Sequence, residues 1–195
     1  MSLISEISIL ILAAGASKRM GTTKQLLPWK HTTLLGNTVE EALKTSVETV
    51  YVVIGANEVE IRKEVKKHHV EILFNVNWDQ GLGTTIAFGM NHLLQLTKPP
   101  EAVLVLLADQ PFLNCDYMER MLNSFRRNKI TATAYPNGNG VPAIFPKKYF
   151  SELIQLKGDK GAKTLLNNSE VNVITPPIDL LTDIDTMEVY RRCKG

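Results

Sequence analysis

Three apolar runs, each closed by a residue that ends a strand, restrict this chain to one kind of architecture. Residues 7–13 run up to Gly15, Val50-Tyr51-Val52-Val53-Ile54 stops at Gly55, and Ala102-Val103-Leu104-Val105-Leu106-Leu107-Ala108 stops at Asp109. The first is too short for a helix before its breaker, and the other two are rich in residues that suit a pleated surface. Strands this uniformly apolar are buried on both faces, which is the mark of a parallel sheet covered by helices. The segments between them keep helical spacing. Leu34, Leu35, Val39, Ala42 and Leu43 follow the capping residues Thr32 and Thr33, and a charged helix is expected from Glu58 to Lys67. Ile86, Met90, Leu93 and Leu94 form one face, and Met118, Met121, Leu122 and Phe125 another.

Further along, a strand is expected at Glu71–Phe74 and two short strands within 131–145, around Pro136-Asn137-Gly138-Asn139-Gly140. Helices near Lys148–Leu156 and Lys160–Leu166, a strand at Val171–Ile174 and a last helix after Asp185 complete the order. The expectation is one α/β domain over residues 1–195 with a mostly parallel sheet. The 195 residues suit a single domain of roughly 100–200 residues. A net charge of +2 excludes a global field for nucleic acid or an anionic membrane. The basic cluster Arg62, Lys63, Lys66, Lys67, His68 and His69 is broken by Glu64 and reads as a solvated helix face. No apolar run reaches the roughly 20 residues that span a bilayer, and the chain's opening lacks the basic region of a signal peptide. Cys115 and Cys193 have no metal-type spacing. They read as free thiols in a reducing cytoplasm.

Chemistry is expected beyond the carboxyl ends of the strands. After the first strand comes Ala14-Gly15-Ala16-Ser17-Lys18-Arg19-Met20-Gly21-Thr22-Thr23-Lys24, a loop of small residues with three cations. Small residues let backbone amides close on an anion while Arg19 and Lys24 neutralise it, so the loop reads as a triphosphate grip. It is neither of the usual phosphate loops. Gly15 and Gly21 are one residue too far apart for a P-loop, and Gly81-Leu82-Gly83 meets Ile86 where a dinucleotide loop needs glycine. Asp109 ends an apolar strand, where it serves either as a turn or cap residue or as a magnesium ligand shared with substrate phosphates. Asp183 and Asp185 precede the last helix; one is expected to cap it, and if the segment is extended alternation places both on the same side, where one of them supplies a second metal ligand. No nucleophilic triad is visible, and His31, His68, His69 and His92 are scattered. Transfer onto an existing phosphate needs positioning and charge neutralisation more than a general base.

These residues resemble a known family. Leu12-Ala13-Ala14-Gly15-x-Ser17-x-Arg19-Met20-Gly21-x-x-Lys24-x-Leu26-Leu27-Pro28 is similar to the signature of MobA-like NTP transferases, most closely the molybdenum-cofactor cytidylyltransferases. Asn75 through Trp78 to Gly81, Ala108-Asp109-Gln110-Pro111, Gly140-x-Pro142, Gly158-Asp159-Lys160-Gly161-Ala162 and Asp183-Ile184-Asp185-Thr186 extend the match along the chain. The resemblance implies a Rossmann-like three-layer nucleotidyltransferase fold that binds nucleotide through Leu12, Ala13, Ala14, Gly15, Ser17, Arg19, Lys24, Asn75 and Gly81. It implies Mg²⁺ held by Asp109 and Asp185, with Asp183 as the alternative, and catalysis by Arg19, Lys24 and Asp109. The implied reaction moves CMP from CTP to the terminal phosphate of molybdenum-bound molybdopterin, and a recipient molybdoenzyme is a further implied partner. Leu12-Ala13-Ala14-Gly15 and Gln110 resemble the CTP-using branch more than the GTP-using one. Val141 stands where the family often has His, and Met187-Glu188-Val189-Tyr190 departs from the usual continuation. Alternatives are GTP as donor, a sugar phosphate as acceptor, or a non-catalytic module that delivers the cofactor.

Overall fold

The computed structural model describes residues 6–194, apart from the side chain of Ile178. The chain's opening, on which the signal-peptide expectation bears, lies outside the described residues. Strands β1 (Ile7–Ala13), β2 (Pro28–Trp29), β3 (Thr32–Thr33), β4 (Thr49–Ile54), β5 (Glu71–Phe74), β6 (Ala102–Leu107), β7 (Ile130–Tyr135), β8 (Gly138–Pro146) and β9 (Val171–Ile174) alternate with seven α-helices among the described residues. These helices are α1 (Leu34–Leu43), α2 (Glu58–Val65), α3 (Leu82–Leu94), α4 (Cys115–Ser124), α5 (Phe150–Leu153), α6 (Lys163–Asn168) and α7 (Met187–Lys194). Seven strands form one sheet in the order β5-β4-β1-β6-β8-β7-β9, while β2 and β3 form a separate small hairpin. Within the large sheet β8 alone runs against its neighbours. This is a Rossmann-like α/β fold with a mostly parallel central sheet.

The period-two geometry of a strand divides the apolar runs between two cores. Ile7, Ile9, Ile11 and Ala13 of β1 face the layer that holds Leu35, Val39, Ile61, Met118 and Met121, from α1, α2 and α4. Leu10 and Leu12 face the other way, onto Ile86, Met90 and Leu93 of α3, with Phe150 and Leu153 of α5 and Leu166 of α6. Three layers result. A smaller cluster of Met20, Trp29, Leu34, Ile184 and Tyr190 packs the loop after β1 against α7, and the Tyr190 hydroxyl donates to the Pro28 carbonyl at 2.7 Å.

The chain leaves β1 toward β4 on one side and later returns to β6 on the other. Where strand order reverses, the carboxyl ends of β1 and β6 open a crevice, the usual ligand position in such sheets. Three helices are shorter than expected, α2 by only its last two residues, as it ends at Val65. Lys160 does not start α6, because Gly161 takes a left-handed φ of 55° that a helix excludes, so α6 begins at Lys163. The expected helix over 148–156 is a 3₁₀ turn followed by the single turn of α5. The strands expected within 131–145 are longer than anticipated, since only Pro136 and Asn137 separate β7 from β8.

Candidate functional site

The loop after β1 is shaped by a residue that reads in the sequence as a mere spacer. Gln25 is 3 % exposed, and its amide donates to the carbonyls of Ala13 at 3.1 Å and Gly15 at 2.7 Å. Its own carbonyl accepts from the Ser17 hydroxyl at 3.0 Å, and the Ser17 oxygen accepts from the Lys24 backbone N–H at 3.2 Å. Ser17 itself sits at φ 54° and Gly21 at φ 64°. The buried Ala13 carbonyl needs a partner, and the same amide also ties down the exposed Gly15. Gln25→Ala should therefore loosen the loop: we expect the KM for nucleotide to rise about tenfold, consistent with ~1–3 kcal/mol for stranding such groups. An unchanged KM in steady-state assays would mean that the loop holds its shape without Gln25.

Lys24, placed by this network, enters the crevice. Its ammonium lies 2.7 Å from Asp109 Oδ2 and 3.0 Å from Asp185 Oδ1. Burial alone would depress its pKa, but the charge and hydrogen bond of Asp109, with the same from Asp185, hold it above the usual 10.5. Arg19 is exposed at the rim and reaches Asp185 only loosely, at 3.8 Å. A cavity of about 450 Å³ opens over these groups, and Leu12, Ala13, Ala14, Gly15, Ser17 and Gly81 belong to its wall. Asn75 does not line it. That side chain is buried behind, donating to Thr85 at 3.3 Å and accepting from the Asn77 N–H at 3.0 Å. Trp78 and Asp159, which the sequence offers as part of the family resemblance and not as site residues, do line the cavity. Gly81 is a required glycine: at φ 102°, a Cβ there would lie 2.5 Å from the Gly158 carbonyl carbon.

Asp183 and Asp185 meet different partners. The segment is irregular rather than a strand, so the condition under which alternation would place both on one side is not met. Ile184 is fully buried, and its N–H donates to the Asp109 carbonyl at 2.9 Å, so the residues flanking it splay. Asp185 faces Lys24, while Asp183 Oδ1 accepts from the Gln110 amide at 2.9 Å. Burial raises the pKa of Asp183. The Gln110 bond opposes this, and the charges of Asp109 and Asp185 add to it.

Gln110 opens onto a second cavity of about 350 Å³, which shares Leu12, Leu82 and Leu107 with the first. Its amide also donates to the Tyr135 hydroxyl at 2.9 Å, and that hydroxyl donates to the Val141 carbonyl. Burial, aided by the nearby Asp183 charge and against the Gln110 bond, pushes Tyr135 up to about 12. A tyrosine whose folded pKa exceeds its unfolded value contributes stability that is intact below pH 10 and lost as pH rises through 12. Tyr135→Phe should lessen the loss of stability at high pH, leaving the share of Tyr51 and Tyr117, whose pKa values burial also raises, with the measurement being urea unfolding of both proteins from pH 8 to 11.5.

The donor set fits a divalent ion. One ammonium already bridges Asp109 and Asp185, so both carboxylates lie within reach of a single cation, and Asp109 Oδ1 is buried without a hydrogen-bond partner among the described residues. Oxygen-only donation combined with substrate phosphates is the chemistry that magnesium and manganese prefer. No group of three or more metal-type side chains occurs among the described residues, so water and substrate phosphate oxygens would complete any such site.

Residues 9–173 match the model of the MobA-like NTP transferase domain. The chain belongs to that family. Among its relatives, the nicotine blue oxidoreductase of Paenarthrobacter nicotinovorans is 32% identical over 93% of each chain. The molybdenum cofactor cytidylyltransferase of Escherichia coli (strain K12) is 25% identical, with 98% of this chain and 97% of that one covered. The crystal structure of Rv0371c from Mycobacterium tuberculosis H37Rv superposes with a TM-score of 0.85 at 26% identity, covering 97% of this chain and 98% of that one. The same protein has been solved in complex with manganese. Family membership and fold together make this chain a nucleotidyltransferase-type protein. No described helix is long and apolar enough to cross a membrane.

Proposed function

We propose that this protein transfers CMP from CTP to the terminal phosphate of molybdenum-bound molybdopterin, with release of pyrophosphate. The observation that carries the reading is the shared ion pair of Lys24 with Asp109 and Asp185, set in the first of two adjoining cavities at the reversal of strand order. The triphosphate takes the first cavity, gripped by the loop over residues 12–17, Arg19 and Lys24. An oxygen of the acceptor phosphate, entering from the second cavity, attacks the α-phosphorus. The bond from that phosphorus to the bridging oxygen breaks, and the electron pair leaves with pyrophosphate. Lys24 and Arg19 neutralise the charge that gathers on the leaving group. Magnesium, held by Asp109 and Asp185, supplies further charge neutralisation when bound. The setting is cytoplasmic, in keeping with the free thiols of Cys115 and Cys193, and the product passes to a recipient molybdoenzyme.

The test is incubation with CTP, Mg²⁺ and molybdopterin, which should release pyrophosphate. Turnover with GTP alone would reassign the base, and turnover only with a sugar phosphate would reassign the acceptor. A second reading, oxidoreduction of a ligand in the second cavity, draws on the 32% identity to the nicotine blue oxidoreductase. The sequence lacks the Gly-x-Gly-x-x-Gly loop that would bind a dinucleotide in the usual way. Oxidation of a reduced nicotinamide cofactor without pyrophosphate release would favour that reading.

A further inference from the structure

The first cavity is charged unevenly. Lys18, Arg19 and Lys24 reach it from the loop after β1, whereas the wall made by Trp78, Asp79, Gly81, Leu82 and Asp159 holds two acids and no cation. Asp159 Oδ1 lies close beside Gly81: a Cβ on that glycine would come within 2.5 Å of it. We propose that the Asp159 carboxylate accepts hydrogen bonds from the 2′- and 3′-hydroxyls of the nucleotide's ribose, and so selects ribonucleotides over deoxyribonucleotides. This rests on the reading above only in placing a nucleoside triphosphate in the first cavity; it does not depend on the acceptor.

The loop that carries Asp159 is seated on the start of α3. The Gly158 carbonyl accepts from the Gly83 N–H at 2.7 Å, and a Cβ at Gly83 would lie 2.9 Å from the Lys157 carbonyl oxygen. Only residues without side chains admit so close an approach. Asp159 is not needed to cap α3 there, because the Gly158 backbone already takes that N–H. Asp109 and Asp185 share Lys24, but Asp159 has no cation partner among the described residues. An acid held at a nucleotide cavity without a cation repels a triphosphate. The phosphates therefore lie toward Arg19 and Lys24, and the nucleoside faces Asp159. A carboxylate offers acceptors only. The cytosine edge sets one amino donor beside the acceptors N3 and O2, so a carboxylate placed there would meet lone pairs. A ribose instead presents two neighbouring O–H donors, one for each carboxylate oxygen. The same match lets an acid read ribose hydroxyls in dinucleotide sites.

The experiment is calorimetry on the full chain with CTP, 2′-deoxy-CTP, 3′-deoxy-CTP and GTP, each with Mn²⁺ and no acceptor. It compares the wild type with Asp159→Ala and Asp79→Ala. The wild type should bind CTP about five- to tenfold more tightly than either deoxy analogue. That is less than a buried hydrogen bond to a charged group gives, because Asp159 is exposed to water. Asp159→Ala should bring both ratios to within about twofold of unity, the scatter of independent effects, and leave the CTP-to-GTP ratio unchanged. Asp79→Ala should keep the wild-type ratios. Comparing ratios removes any general change in the charge of the cavity. A loss in Asp159→Ala that CTP and its deoxy analogues share equally marks a structural role and overturns the inference. So does a wild type indifferent to the ribose hydroxyls, a ratio erased by Asp79→Ala instead, or an altered CTP-to-GTP ratio in Asp159→Ala. A wild type that binds no nucleoside triphosphate overturns the transfer reading and the inference together. One that shows the expected ratios yet releases no pyrophosphate with molybdopterin overturns the transfer reading alone.

Discussion

Replacing Lys24 with alanine is expected to lower turnover about 10²–10³-fold while Mn²⁺ binds the free protein more tightly than it binds the wild type. The first effect follows from removing a preorganised charge from the leaving phosphates, worth ~3–4 kcal/mol in comparable sites. The second follows from geometry. The ammonium sits 2.7 Å from Asp109 and 3.0 Å from Asp185, so it occupies the space in which a divalent ion shared by those carboxylates must bind. A contact of this charge-assisted kind is worth ~1.5–3 kcal/mol, so its removal should tighten Mn²⁺ binding roughly ten- to a hundredfold. In the wild type, a nucleoside triphosphate gives the ammonium a new partner and frees the carboxylates. Nucleotide and metal should then help each other bind, by the same factor in either order. Paramagnetic titration of Mn²⁺ with and without a non-hydrolysable CTP analogue measures both quantities. Equal Mn²⁺ affinity in wild type and variant would mean that ammonium and metal do not compete.

This competition does not depend on pH near neutrality. The folded Lys24 pKa is raised, so the stability it contributes is complete below the unfolded value of 10.5 and is lost only as pH rises through the higher folded value. Any loss of Mn²⁺ affinity between pH 6 and 8 must come from other groups.

The sheet was legible because β1, β4 and β6 are apolar on both faces, which marks each as a strand covered on both sides. Asp109 was legible because a charge just beyond a buried strand has few structural uses, and Lys24 because a cation in a loop of small residues suits an anion. The splay of Asp183 from Asp185 was not. It depends on a backbone bond from Ile184 to Asp109, far apart in the sequence, and on the packing of Ile184 with Trp29 and Tyr190. No local pattern encodes such a contact. Gln25 and Gln110 were hidden for another reason. An amide carries no charge and no periodicity, and its worth here lies wholly in the partners that the fold brings to it. In the sequence Gln110 reads only as a marker of nucleotide preference, because its neighbour Asp109 draws it to the triphosphate side.

Asp109→Asn isolates charge from shape, and it should be the most damaging conservative change in the molecule. Asparagine fills the same volume and can still accept a hydrogen bond from Lys24, and Asp185 continues to neutralise that ammonium. The cost to folding is accordingly modest, ~1–3 kcal/mol for weakening one charged hydrogen bond that is largely shielded from water. The cost to function is not modest. Asp109 lies in the turn just after β6, where its carbonyl accepts from Ile184 and its side chain is 20 % exposed, whereas the Asp185 side chain is 42 % exposed. A rigid carboxylate defines where a divalent ion sits, and a more loosely held one completes the site. With only the latter left, Mn²⁺ binding in the presence of CTP should fall at least about a hundredfold, as losses at metal sites commonly do. Turnover should fall about a thousandfold or more, since metal and Lys24 act on the same charge and lose their placement together. Asp185→Asn should do less on both counts, and Asp183→Asn should leave Mn²⁺ binding unaltered. That ranking is the decisive measurement. If Asp183→Asn weakened Mn²⁺ binding as much as Asp109→Asn, the acid facing Gln110 would belong to the metal, and the division of three carboxylates between two cavities would collapse.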